Sequence, residues 1–190
     1  MEVRSIGLTG AGLYNRPGST VALFPYDTSL LTLARSAPRS IPDVVQVLES
    51  IDATCVDGDG LKWFNRLYLQ VTKAVQDRVD AGGFRNPAFL RELDVQFAKL
   101  YFDALAATLH GESCAACWTV MLTVRTNTRI ARIQFALAGV NAHINHDLPE
   151  ALVTTMRAIG TVPSVASPEH VVNRARVRVG ILPASSRSRQ

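Results

Sequence analysis

The sequence contains little of what extracellular and membrane proteins are built from. Its 190 residues include only three cysteines, an odd number at irregular spacing, so they form no disulfide framework. Such cysteine use is typical of a reducing compartment, and we expect a cytoplasmic protein. No run approaches the roughly 20 apolar residues of a membrane span, and the glycine-broken N-terminus lacks the apolar core of a secretory signal. We therefore expect no membrane association.

The body of the chain carries little excess of positive charge. The net charge is +4, but much of the excess comes from arginines in the last twenty residues: Arg174, Arg176, Arg178, Arg187 and Arg189. A nucleic-acid interface needs a basic stripe with interleaved aromatic residues, and no such stripe is present in the rest of the chain. We expect no specific nucleic-acid partner, and we interpret the basic tail as a solvated segment.

Hydrophobic periodicity predicts an all-α fold, a single-domain helical bundle. Apolar residues recur at helical spacing after the capping residues Ser40, Asp59 and Asn86, and glycines follow the predicted helices. Proline, glycine and serine dominate the first forty residues, where only Leu30–Ala34 indicates a short helical turn. We predict an irregular N-terminal arm over residues 1–40, a helical domain over 41–162, and a poorly structured basic tail over 163–190.

One predicted helix, running from about Ile133 to Ile159, carries an unusual concentration of polar residues. His143 and Asp147 lie one turn apart, about 40° from each other around the helix, on an otherwise apolar arc. Asn141 and Asn145 form a second pair with the same spacing, toward the other edge of that helix. Polar groups on a helix that must be largely buried need partners, because an unpaired buried polar group is costly.

Three interpretations of the His143 and Asp147 pair remain open. Both side chains could ligate one divalent metal, such as zinc, iron or manganese. The carboxylate could instead orient the imidazole and raise its basicity for proton transfer. In the third interpretation the polar residues satisfy one another and only tie helices together. A metal site needs further ligands, and Asp94 and His110 on the preceding long helix are the nearest candidates by residue type.

Two other residues bear on this pair. Asp94 lies on an apolar stripe between Phe97 and Tyr101, where a carboxylate needs a partner. Arg78 could pair with it, or extend its charged end to water. Pro149 could kink the helix just after Asp147, or could mark a new helix that Asp147 caps.

Three segments resemble, in their order, an uncharacterised and mostly actinobacterial all-helical domain family of unknown function. The resemblance spans about Ile41–Gly160, and the chain departs from the family's pattern after about Pro163. It implies an all-helical fold and directs attention to Asp94 and to four residues of the motif. The segments are Asp59–Tyr68, Phe89–Tyr101 and Gln134–Leu148, the last with the motif Gly139-x-Asn141-x-His143-Ile144-Asn145-x-Asp147-Leu148.

We therefore expect an enzyme of small-molecule metabolism, of a biosynthetic kind, that acts by hydrolysis, elimination or cyclisation. His143 and Asp147 would bind a metal or form an acid–base pair, Asn141 and Asn145 would orient the substrate, and Asp94 would be an additional partner. The alternative is a non-catalytic helical binding or interaction module in which the polar cluster is structural. The sequence does not indicate an oligomeric state.

Overall fold

The computed structural model describes residues 23–160, in which seven α-helices and one π-helical segment occur and no strand is found. The predicted all-α class is confirmed. Residues 1–22 of the predicted arm and the whole predicted tail lie outside the described residues. The helices are α1 (Asp27–Ala34), α2 (Ile41–Thr54), α3 (Gly60–Asp80), α4 (Pro87–His110), α5 (Ala116–Leu122), α6 (Arg132–Ala142) and α7 (Leu148–Ala158), with the π segment His143–Asp147 between the last two.

The predicted capping residues begin the long helices. The side chains of Ser40, Asp59 and Asn86 accept hydrogen bonds from the first turns of α2, α3 and α4. Each bond satisfies a backbone N–H that has no partner inside its helix, and such a cap contributes about 1 kcal/mol. Helix α4 ends at Gly111, whose φ of 77° is a left-handed conformation that glycine adopts without strain. The capping signals therefore gave correct helix starts.

Helix α1 lies inside the region predicted to be irregular. Asp27 begins it, and its carboxylate accepts hydrogen bonds from the backbone N–H groups of Leu23 and Phe24. Leu30 is fully buried, and α1 packs against α4 and α2. Local sequence gave only a hint of this helix because tertiary contacts hold it in place, and such contacts routinely override local propensity.

The bundle is arranged around two long helices. Helix α3 packs against α2 and α6, whereas α4 packs against α1 and α7. Gly139 of α6 faces the ring of Phe64, and a Cβ at that position would overlap the ring. This close approach brings the end of α6 onto the aromatic part of the core. No helix within residues 23–160 combines the length and the apolar character needed to cross a bilayer.

The predicted continuous helix over 133–159 is interrupted by the π segment. The N–H of Leu148 donates to the carbonyl of His143, five residues back, so the turn is wider than an α-helical turn. Pro149 follows in the first turn of α7, where its missing N–H is tolerated. Asp147 has helical backbone angles and makes no capping hydrogen bond, so the chain does not start a separate helix capped by this residue. A wide turn, rather than a break, accommodates the proline.

Candidate functional site

The centre of the candidate site is the buried pair His143 and Asp147 on the π segment. The relative exposures of these residues are 2% and 1%, and the distance from His143 Nδ1 to Asp147 Oδ2 is 2.8 Å. A carboxylate only accepts hydrogen bonds, so Nδ1 of His143 carries the proton and donates it. In the neutral imidazole, Nε2 is then an acceptor. This buried Nε2 has no hydrogen-bond partner among the described residues.

Asp147 is held from two further sides. The indole Nε1–H of Trp118, on α5, lies 3.2 Å and 3.0 Å from the two carboxylate oxygens of Asp147. Nδ1 of His146 lies 2.8 Å from Oδ1 of Asp147. His146 itself is exposed. The carboxylate is therefore well supplied with donors, and it fixes the tautomer and orientation of His143.

This geometry does not support His143 and Asp147 as joint ligands of one metal. The two side chains hydrogen-bond to each other, and the oxygens of Asp147 are already engaged. Among residues 23–160 no group of three or more histidine, cysteine, aspartate or glutamate side chains could hold a metal ion. His110 cannot complete such a site with Asp94, because sixteen helical residues separate them by about 24 Å along α4. His110 instead hydrogen-bonds to Glu112.

Aromatic rings enclose the imidazole of His143. Phe97 stacks on it with ring centroids 3.5 Å apart and planes 7° from parallel, and Tyr68 presents an edge with centroids 4.5 Å apart. Further rings around the imidazole belong to Phe64, Tyr101 and Trp118. Burial lowers the pKa of His143 below its ordinary value, and the hydrogen bond and charge of Asp147 only partly oppose this. His143 is therefore neutral at neutral pH.

Asp94 is the second titratable group of the site. It is 8% exposed, its Oδ2 has no hydrogen-bond partner among the described residues, and burial raises its pKa to about 7. The predicted partner Arg78 hydrogen-bonds to the carbonyl of Gly83 and lies over the ring of Phe84. Burial and the charge of Asp94 both raise the pKa of Tyr68. Asp94 thus lies within electrostatic range of a ring that contacts His143.

Unsatisfied polar atoms are concentrated on the elements around His143. Native proteins leave few buried polar atoms unpaired, since each costs about 1–3 kcal/mol. Thr72 lies near enough to Tyr68 to affect its pKa, yet the two hydroxyls are outside hydrogen-bond geometry. Within residues 23–160 the buried side-chain atoms without a hydrogen-bond partner are Tyr68 Oη, Thr72 Oγ1 and Gln76 Oε1 on α3, Asp94 Oδ2 on α4, His143 Nε2 on the π segment, and Thr155 Oγ1 on α7.

The structure does not bring Asn141 and Asn145 into this site. Both side chains are exposed, and Nδ2 of Asn145 donates to Oδ1 of Asn141 at 2.7 Å. At 100° per residue, Asn141 lies about 200° around the helix from His143, so the two pairs occupy opposite faces. This placement does not support the expected role of the asparagines in orienting the substrate. The two side chains hydrogen-bond to each other on the surface, across one turn of the helix.

A second buried polar centre was not predicted. Arg125 is 1% exposed. Its Nε lies 3.0 Å from Oδ1 of Asp59, its Nη2 lies 2.8 Å from Oδ1 of Asp27, and its guanidinium lies 4.9 Å from the ring centroid of Phe24. The hydroxyl of Tyr26 donates to Asp59. We call this set the Arg125 network.

Most of the walls of the site were not predicted. Tyr68, Thr72 and Gln76 carry polar atoms at every fourth residue, a spacing that places them on one face of α3. That repeat was a usable signal. Trp118 gave none, because its contact with Asp147 joins residues that are 29 positions apart. Thr155 likewise depends on the packing of α7 against α4.

Comparison with known proteins identifies a family but no described relative. A family model described as "Family of unknown function (DUF5995)" matches residues 41–173. The match extends ten residues past Pro163, the point after which the chain was expected to depart from the family's pattern. No curated protein matches the chain, and no solved structure does.

Proposed function

We propose that this chain, which belongs to the family of unknown function DUF5995, is an enzyme of small-molecule metabolism in which His143 acts as a general base. The observation that supports this most strongly is the state of the imidazole. Asp147 holds Nδ1, while Nε2 is buried and has no partner among the described residues. A neutral imidazole with one nitrogen fixed and the other free to accept a proton is suited to base catalysis.

Asp147 is the positioning residue in this proposal. It holds the tautomer of His143 and would stabilise the imidazolium that forms when Nε2 takes a proton. The contact with Trp118 fixes the carboxylate in turn, so the orientation of the dyad depends on the packing of α5 against α6 and α3. Hydrolysis, elimination and cyclisation each include a step in which a base removes a proton from water or from the substrate.

Asp94 adds a second ionisable group beside the aromatic enclosure. With a pKa of about 7, it exists in both the protonated and the ionised form near neutral pH. Such a group either gives a proton to a leaving atom or pairs with a positive charge on the substrate. Two titratable groups with different environments, one basic and one acidic, are a common arrangement in active sites.

A divalent metal enters this proposal only in a restricted form. Nε2 is the one nitrogen of His143 left for ligation, and Asp147 would then orient the ligating imidazole rather than bind the metal. The described residues do not supply the remaining ligands, so no step of the proposal depends on a metal. Metal analysis of protein purified without a His tag tests this form. Stoichiometric zinc, iron or manganese that is lost in His143→Ala would support it, and absence of these metals would refute it.

Turnover of a metabolite mixture tests the enzyme proposal without knowledge of the substrate. Purified protein is incubated with a small-molecule extract, and mass spectrometry follows which compounds are consumed and formed. We expect His143→Gln to reduce the observed turnover by about 10²–10⁴-fold, the usual contribution of a general base. His110→Gln, which changes an exposed histidine of α4, is the matched control and should keep full turnover.

The pH dependence of that turnover gives a second readout. Turnover should fall as the pH drops through the lowered pKa of His143, below about 6.5, because the protonated imidazole cannot act as a base. Equal turnover by the wild type and by a folded His143→Gln variant would refute the proposal that His143 is the base.

The competing proposal is a non-catalytic binding or interaction module. It is supported by the hydrogen bonds from Trp118 and His143 to Asp147, which tie α5 to the π segment as a structural network would. In that case His143→Gln lowers the free energy of unfolding and changes no metabolite.

A further inference from the structure

Of the six unsatisfied atoms within residues 23–160, three are acceptors of hydrogen bonds and three are hydroxyl oxygens. Nε2 of His143 accepts, because Nδ1 carries the proton that is donated to Asp147. Gln76 Oε1 is a carbonyl oxygen, and Asp94 Oδ2 is an acceptor whenever the carboxyl is ionised. The hydroxyls of Tyr68, Thr72 and Thr155 can donate or accept. A ligand that completes this set must therefore bring hydrogen-bond donors.

The charge of the site is also incomplete. Burial is the only cause that raises the pKa of Asp94, and no basic side chain among the described residues opposes it. A buried carboxylate without a positive partner is expensive, so the free protein keeps it protonated until the pH approaches neutrality. A cation placed beside Asp94 would supply the missing charge.

The aromatic surroundings suit a cation as well. Phe97 lies three residues after Asp94, on the adjoining part of the same helix face, and Tyr68 lies within electrostatic range of Asp94. Phe97 is only partly buried, so this side of the enclosure is the one nearest the surface. Ring faces attract ammonium groups, and the attraction is stronger where water is excluded.

We propose that this site binds a small protonated amine, whose ammonium group donates hydrogen bonds to Asp94 and to the acceptor atoms near it. The inference rests on the proposed function, in which the same space holds the substrate, and it narrows the substrate class to amines. Asp94 is then the recognition residue, whereas His143 acts on a neighbouring atom of the bound amine. An ammonium has three donors; one would bond to Asp94, and Nε2 of His143 stays free to act as the base.

Binding of matched probes tests this assignment. Benzylamine and ethylamine are compared with benzyl alcohol, ethanol and benzoate, by calorimetry and by the ¹³C resonance of the Asp94 carboxyl. We expect at least one amine to bind about tenfold or more tightly than its alcohol, with benzoate weakest, and to shift the Asp94 resonance to that of the ionised form. Asp94→Asn should abolish the preference for the amine.

Asp103→Asn is the matched control, since Asp103 lies on the same helix but is exposed and paired with Lys99. It should bind amines as the wild type does. Equal binding of amines and alcohols, no binding of either amine, or amine binding that survives Asp94→Asn would each overturn the inference. If the preference fails while turnover still depends on His143, only the amine assignment is wrong. If amines bind and no turnover depends on His143, the site is a binding site and the enzyme proposal is wrong.

Discussion

The bundle contains two buried polar centres that differ in how completely they are satisfied. In the Arg125 network, two carboxylates share one guanidinium, and a tyrosine hydroxyl and a backbone N–H add further hydrogen bonds. On α3, α4, the π segment and α7, six buried side-chain polar atoms have no partner within residues 23–160. A saturated network is what a fold needs in order to bury charge. A deficit of partners lowers stability, and its persistence is typical of a site that is completed by a ligand.

Removing the guanidinium should give the largest effect on stability. Arg125→Met leaves Asp27 and Asp59 buried without their positive partner, and we expect the free energy of unfolding to fall by about 3–5 kcal/mol. Urea denaturation measures the change. Arg132→Met is the control, because Arg132 is exposed and its replacement should cost well under about 1 kcal/mol. A loss below about 1 kcal/mol for Arg125→Met would show that saturation of this network contributes little to the fold.

Removing the charge of Asp94 should raise the free energy of unfolding, whereas removing that of Arg125 should lower it. The pKa of Asp94 is raised from 3.8 to about 7, so between those values the folded chain keeps a proton that the unfolded chain has released. Stability therefore falls as the pH rises from about 4 to 7, by as much as about 4 kcal/mol. The free energy of unfolding of Asp94→Asn should be higher than that of the wild type at pH 8 and similar to it at pH 4.

Urea denaturation across that pH range checks the Asp94 prediction, with Asp103→Asn as the exposed control. If Asp94→Asn destabilises the protein at pH 8, the carboxylate has a partner and the contrast between the two centres fails.

A third variant separates packing from polar satisfaction. Gly139→Ala places a methyl group against the Phe64 ring beside His143, and overpacking of this kind costs about 1–3 kcal/mol. Gly58→Ala has open space around the added methyl group and should be nearly neutral. Thermal denaturation compares the two. If the two variants are equally stable, the aromatic side chains around His143 can move to accommodate a methyl group. They would then not hold the imidazole in a fixed position.

The smallest effect is expected on the opposite face of the π segment. Asn145→Ala removes one exposed hydrogen bond to Asn141, and the change in unfolding free energy should stay within about 0.5 kcal/mol. Metabolite turnover should also be unchanged in this variant. Loss of turnover without loss of stability would place the asparagines in the functional site after all.

The sequence predicted well those features that depend on neighbours along the chain. The caps at Ser40, Asp59 and Asn86 are local, and so is the one-turn spacing that pairs His143 with Asp147. Burial of that pair also followed from the apolar arc on which it lies.

Features that depend on distant contacts were missed. The burial of Arg125 had no local signal, because its partners Asp59 and Asp27 are 66 and 98 residues away. Helix α1 depends on the same long-range contacts. The asparagines were grouped with the dyad through the shared motif, although their spacing already placed them toward the other edge of the helix. Residue type and spacing indicate which residues share a helix face, but the partner of that face is decided by tertiary packing.

The π segment also sets the rotational phase of everything that follows it. A turn that holds more residues than an α-helical turn shifts all later side chains around the axis relative to those before it. Ala151 and Thr155, the buried residues of α7, lie beyond this shift. Deleting one residue between His143 and Leu148 would rotate α7 by about 100° relative to α6. The length of this segment therefore sets which face of α7 meets the bundle.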